Sequence, residues 1–269
     1  MTKTIRLFWW SETRIQKKQK ENYGDLLGKY LVEKISGKKV AFAWPKKWSY
    51  KDWFAPVYVT VGSILTHVNK KCVVWGSGII SNSLPVKSAT FLAVRGPRTR
   101  EFLIEKGYAV PEVYGDPALL LPNYYFPKIE KKYRFGVIPH YNDYELVKSW
   151  FREREDVLLI DLMTNDVETT TDKILSCEKI VSSSLHGIIV GHTYGIPAVW
   201  QKFSGKVFGD DIKYRDYLES VELPFYAPEI RNNTYSAEEL EKLFHNYPVL
   251  PKKEKLEELR KNLMEVCPF

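Results

Sequence analysis

The chain has 269 residues, 44% of them apolar, enough to fill one large core or two smaller ones. Its net charge of +7 and pI near 9.0 permit a polyanionic partner, but the basic residues are scattered and no nucleic-acid module signature is present, so no nucleic acid is expected. No run approaches the roughly 18 to 20 apolar residues of a membrane span, the start lacks an apolar signal core, and Cys72, Cys177 and Cys267 have neither disulfide-framework nor zinc spacing. A cytoplasmic protein with reduced thiols and no metal is expected.

Residues 4–9 are apolar and β-rich, 24–35 have helical spacing, and 40–43, 57–61, 72–75 and 90–94 read as strands. Residues 97–106 then form a helix, with proline at the start and Gly107 past the end. Strands alternating with helices imply a parallel, doubly wound sheet. A break at residues 122–127, followed by a charged run to Arg134, reads as an interdomain linker. The same rhythm restarts with strands near 135–139, 157–161, 179–183 and 198–200. The expected fold is therefore α/β, two Rossmann-like domains spanning 1–127 and 128–269 with a cleft between them. Residues 236–266 are helical in pattern and can pack back onto the first domain.

In parallel sheets, ligands gather beyond the carboxyl ends of the strands. There this chain places Asn22-Tyr23-Gly24-Asp25, Gly62-Ser63, Gly76-Ser77-Gly78, Arg95, His140 and the run Ser182-Ser183-Ser184-Leu185-His186-Gly187. The serine run opens a helix of about ten residues that Gly195 and Pro197 end. Ser183 or Ser184 can cap it, and its free amides and positive dipole end form an anion site beside His186. His192 lies on another face and cannot pair with His186 around a metal. Taken alone, His186 decorates a helix start, Asp116 and Asp210-Asp211 are turn and cap residues, and Lys206 is a surface lysine. No dinucleotide fingerprint, P-loop or Gly-x-Ser-x-Gly elbow is present.

The motifs Asn22-Tyr23-Gly24-Asp25, Val74-Trp-Gly-Ser-Gly78, Val94-Arg-Gly-Pro-Arg-Thr-Arg100, Gly115-Asp-Pro-Ala118, Ser183-Ser-Leu-His-Gly187, Gly195-Ile-Pro197 and Lys206-Val-Phe-Gly209 stand in one order over most of the chain. In that order and spacing the chain resembles the polysaccharide pyruvyl transferase family. The resemblance implies a fold like that of GT-B glycosyltransferases and transfer of an enolpyruvyl group from phosphoenolpyruvate to a sugar, with release of phosphate. It implies a ketal on galactose or an N-acetylhexosamine, carried by a polyprenyl-diphosphate-linked oligosaccharide at the inner face of the membrane. Phosphoenolpyruvate is then a co-substrate, and no cofactor is implied.

Carried over by position, the resemblance implies His186 as general acid, with Arg95, Lys206, Ser183, Ser184 and Leu185 on the donor. His140 is a secondary candidate for donor or acceptor contact, and equally a capped loop histidine. Asn22, Asp25, Gly62, Ser63, Gly76, Ser77 and Gly78 are left for the acceptor or the cleft wall. Many members carry arginine where this chain has Ser184, so part of the anion binding falls to Ser183, Ser184 or another cation such as Lys213. Trp44, Trp48, Trp53 and Tyr58 suit stacking on sugar faces, core packing or a membrane surface. Two rival readings stay open: a nucleotide-sugar glycosyltransferase, and a noncatalytic glycan-binding protein.

Overall fold

The computed structural model describes residues 4–47, 50, 55–151 and 154–269; Trp48 and Trp53 lie outside them. The first half runs β1 (Ile5–Phe8), α1 (Glu12–Ile15), β2 (Glu21–Asn22), α2 (Tyr23–Ser36), β3 (Val40–Phe42), β4 (Val57–Val59), β5 (Cys72–Trp75), β6 (Thr90–Ala93), α3 (Pro97–Glu105) and α4 (Leu121–Tyr124). The second half runs β7 (Tyr133–Ile138), α5 (Tyr144–Lys148), β8 (Val157–Leu159), β9 (Met163–Thr164), α6 (Val167–Leu175), β10 (Cys177–Ser182), α7 (Leu185–Thr193), β11 (Ala198–Trp200), α8 (Ile212–Ser220), α9 (Ala237–Asn246) and α10 (Lys253–Glu265). Local chemistry sets several of these boundaries. Asn22 caps α2 by accepting from the amides of Gly24 and Asp25, and Gly37, at φ 65°, ends it in the left-handed region.

Each half carries its own parallel sheet. The first has the order β3-β1-β4-β5-β6 and the second β11-β10-β7-β8. Apolar residues line both faces of the strands, as parallel strands covered by helices require. In the first sheet Phe8, Val59 and Val74 pack with Phe102 and Leu103 of α3, whereas Ile5 and Leu7 pack with Val32 of α2. In the second, Val137 and Val181 face Leu240 of α9, while Ile138 and Ile180 face α6 and α7.

The chain reverses direction across each sheet once, between β1 and β4 in the first and between β7 and β10 in the second. Beyond the carboxyl ends of such reversals the diverging connections leave a crevice. Both crevices open into the same cleft, which is what makes the architecture GT-B-like.

The two halves share a core. Tyr23, Leu27 and Leu31 of α2 are fully buried in one cluster with Ile138, Ile160, Leu162 and Ile174 from the second half. Around that cluster, Tyr23 Oη and Thr171 Oγ1 share a hydrogen bond of 2.7 Å, and β2 pairs antiparallel with β9 through Glu21–Thr164 and Asn22–Met163. Residues 122–127, read from sequence as a linker, begin inside α4, whose Leu121 is fully buried in the same cluster.

The C-terminal helix α10 returns to the first half. Its Leu263 is fully buried against Trp75, Ala93 and Leu120, and the Leu263 carbonyl accepts from Trp75 Nε1 at 2.9 Å. Phe269 closes the contact edge-on to Trp75 and Tyr58. Leu263→Ala removes a side chain that nothing can replace and is expected to cost about 2–5 kcal/mol. Urea unfolding of the variant against the parent protein measures that loss.

Candidate active site

The cleft between the sheets holds a cavity of about 350 Å³ with walls from both halves. The first half contributes Trp10 and Glu12 beyond β1, Asn22 and Asp25 at the start of α2, and Gly62 and Ser63 beyond β4. The second contributes His140 to Asn142 beyond β7, Ser184 to His186 beyond β10, and Lys213 from α8. These are the strand ends flanking the two chain reversals.

His186 sits on the first turn of α7, and its imidazole is 12% exposed. It lies across Gly24 at the start of α2, where any Cβ would collide with the ring, so glycine is the residue that admits the histidine there. Its Nε2 is 3.6 Å from Oδ2 of the fully buried Asp116. Neither atom has a hydrogen-bond partner, and both are shielded from water. Asp116 is held by its other oxygen, which accepts from Ala118 N at 2.9 Å. The sequence reading of Asp116 as a cap is therefore correct for one oxygen and leaves out the other. Gly76 allows this placement, because a Cβ there would strike Pro117 and the Gly115 carbonyl.

The serine run divides its tasks. Ser184 is the N-cap residue of α7, but its hydroxyl makes no capping hydrogen bond and faces the cleft. The side chain that shapes the turn is Ser182, whose Oγ accepts from Ser184 N at 2.9 Å. Ser183 is buried, accepts from His140 N at 2.8 Å, and gives its carbonyl to Tyr214 Oη. The helix begins at Leu185, directly after the serine run as the sequence pattern suggests, and Gly195 at φ 73° follows its end. Leu185, though buried, lines the cleft floor. His192 is fully buried between Tyr217 Oη and the Ala198 carbonyl, away from the cleft.

Charge in the cleft is unevenly placed. Burial pushes the Asp25 carboxyl up to about 7, against the pull of His186, with Glu12 and Glu21 adding to the rise. Burial pushes the Lys213 ammonium down to about 8, with Arg95 adding to the fall. His140 is pushed down to about 3 by burial and by Lys213 and Lys18, so it is neutral and its Nδ1 accepts from Asn142 N. His140 is therefore a wall residue at neutral pH and carries no acidic proton there.

Several residues singled out in the sequence are not on the cleft surface. Arg95 is fully buried beneath it: Nε pairs with Asp216 Oδ2 at 2.9 Å, Nη1 donates to Ser63 Oγ and Nη2 to the Ile79 carbonyl at 2.8 Å. Gly78 lets the guanidinium pass, Ser77 Oγ donates to the Gly62 carbonyl at 2.7 Å, and these residues with Gly76 form a scaffold under the cleft. Lys206 is exposed on the loop after β11 and does not line the cavity. Trp44 and Tyr58 pack on core clusters. Sequence reading did not pick out Asp116 as a partner of His186, nor Trp10, Glu12 and His67 as cleft walls. Among the described residues no group of three His, Cys, Asp or Glu side chains is placed to hold a metal ion, and no helix is long and apolar enough to cross a membrane.

Two parallel sheets flanking one cleft, a helix N-terminus at the cleft and a histidine–carboxylate pair beside it define a GT-B-like architecture with a candidate active site. Residues 22–200 match the family model of polysaccharide pyruvyl transferase, and the chain belongs to that family. Membership places it among transferases that modify polysaccharides. An uncharacterized protein of Acanthamoeba polyphaga mimivirus is 36% identical over 224 residues, covering 79% of this chain and 77% of its own. Among solved structures, the glycosyltransferase SnogD from Streptomyces nogalater aligns over 98% of this chain and 96% of its own at 12% identity, with a TM-score of 0.42.

The buried position of Arg95 makes a definite expectation. Arg95→Met leaves Asp216 as an uncompensated buried charge and should cost about 3–5 kcal/mol. Denaturant unfolding measures it, and a loss confined to ligand affinity would place Arg95 in the cleft instead.

Proposed function

We propose that this protein transfers the enolpyruvyl group of phosphoenolpyruvate to a sugar of a polysaccharide precursor, closing a ketal and releasing phosphate. The observation that carries the reading is the pairing of His186 with Asp116 at an anion-directed helix start. Nε2 lies 3.6 Å from Asp116, Nδ1 lies over Gly24, and the ring lines the cleft. Addition of a sugar hydroxyl to C2 of phosphoenolpyruvate needs a proton at C3, and His186 is the acid in position to give it. Asp116 then stabilises the imidazolium and fixes its orientation, as a buried carboxylate does for a catalytic histidine.

The donor carries a phosphate and a carboxylate. The first amides of α7, the Ser184 hydroxyl and Lys213 form the anion-binding wall, and the family's arginine before the Leu-His pair is replaced by Lys213 reaching in from α8. Arg95 acts one layer below by holding Ser63 and α8 in place. The net charge of +7 is compatible with an acceptor sugar on an anionic lipid carrier at the cytoplasmic leaflet.

Phosphate release and mass spectrometry on phosphoenolpyruvate with p-nitrophenyl β-galactoside test the reaction. His186→Ala should lower turnover by about 10² to 10⁴ with the fold intact. A folded His186→Ala protein with near-parent turnover would remove the histidine from this role.

The charge pattern gives a pH dependence. Below about 7 Asp25 is neutral and Lys213 is charged; above about 8 Asp25 is ionised and Lys213 loses its proton. A trianionic donor should bind best in the first state, so its KM should rise between pH 6 and pH 9. Lys213→Met should raise the donor KM at pH 6 by about tenfold or more and flatten the rise. Steady-state kinetics at fixed saturating acceptor reads both.

A further inference from the structure

Asp25 is the third residue of α2, and its side chain lines the cleft next to Gly24, the residue on which the His186 ring rests. Among the described residues its carboxylate accepts no side-chain or backbone hydrogen bond. Nearby Glu21 is the contrast: its oxygens take hydrogen bonds from Ser11 Oγ, Thr13 Oγ1 and the Glu12 amide. Glu21 is committed to the fold, whereas Asp25 is presented bare to the ligand. Gly62, at φ 108°, lies alongside it, where a Cβ would stand in ordinary contact 3.4 Å from Asp25 Oδ1.

On the same side, Trp10 and His67 form an aromatic wall, with ring centroids 5.4 Å apart and planes inclined at 31°. Trp10 is fixed by its Nε1 donating to Glu12 Oε1 at 3.1 Å. Burial pushes His67 down to about 4, so it is neutral, and its shielded Nδ1 has no partner. A flat apolar face with polar atoms at its edge matches a pyranose ring. The donor wall of α7 faces this one.

We propose that Asp25 is the catalytic base that takes the proton from the acceptor hydroxyl, the sugar being seated on the Trp10–His67 wall. The proposal rests on the donor reading given above. In the first step the hydroxyl oxygen bonds to C2, its proton passes to Asp25, and His186 places a proton on C3, making the methyl group. The C2–phosphate bond then breaks, the electron pair leaving with phosphate. A second hydroxyl of the same sugar bonds to C2, and its proton departs on the phosphate as the monohydrogen ion. The proton held by Asp25 returns to His186 through solvent, and the site is reset. Asp25 is faced by His186 from α7, Glu12 from α1, Glu21 from β2, Lys213 from α8 and Tyr141 from the loop after β7. The two acids and the crowding hold its proton affinity near the working pH, where a base is most effective.

The test compares the full-length parent with Asp25→Asn and Asp25→Ser, using phosphoenolpyruvate and p-nitrophenyl β-galactoside. Calorimetry reads donor binding, phosphate release reads turnover, and thermal melts check folding. The expected result is donor affinity equal to or tighter than the parent's, with turnover lower by about 10² to 10⁴. In the parent, kcat should fall as pH drops through about 7, and that limb should be absent from the residual activity of the variants. Folded variants with turnover within threefold of the parent, or a parent kcat without the acid limb, would overturn the role of Asp25. A parent that binds no phosphoenolpyruvate would instead sink the donor reading, and this proposal with it.

Discussion

The buried ion pair between Arg95 and Asp216 is the constraint on which the cleft depends. Both side chains are fully buried, and Asp216 also accepts from the Thr99 amide at 2.9 Å and from its hydroxyl at 2.7 Å. Two charges withdrawn from water cost more than one contact returns, so the arrangement persists because every oxygen of the carboxylate and every nitrogen of the guanidinium is used. The pair fixes α8 against the end of β6. Lys213 on that helix is thereby held in the cleft, while Arg98 and Glu219 repeat the tie nearer the surface with contacts of 2.6 and 3.0 Å. A displaced α8 would take the cleft's cation with it.

Beneath the chemistry runs a rule about glycine. At Gly24, Gly76 and Gly78 the missing side chain makes room for another residue: His186, the Asp116 segment and Arg95 respectively. Strand-end glycines are usually read as places where a ligand nears the backbone. Here they are places where the protein nears itself, and the ligand meets what has been admitted.

Much of the fold was legible in the sequence because parallel strands buried on both faces leave apolar runs that short polar segments and capping residues punctuate. Gly195 marks a helix end by local chemistry alone, whereas Ser184, read as a cap, leaves its hydroxyl free of the helix amides. His186 was visible from its place on the first turn of a helix that opens after a strand and a serine run. The partners that give the site its character were not, since they come from distant parts of the chain. Arg95 at a strand end reads as a ligand-seeking cation until Asp216, 121 residues later, neutralises it. Asp116 reads as a turn cap, which it is, and nothing local reveals that its second oxygen meets His186. Lys206, which the resemblance set on the donor, lies on the surface, whereas Lys213 lines the cleft without any motif to mark it.

The common core has a consequence for how such a chain can change. Tyr23, Leu27 and Leu31 are buried in one cluster to which both halves contribute, and α10 brings the last residues back to the first sheet. A gene segment encoding one lobe could not be exchanged for that of a distant relative without stripping apolar surface from both. Substitutions in loops at the cleft mouth, such as the one bearing the 65%-exposed Phe208, leave what joins the lobes undisturbed.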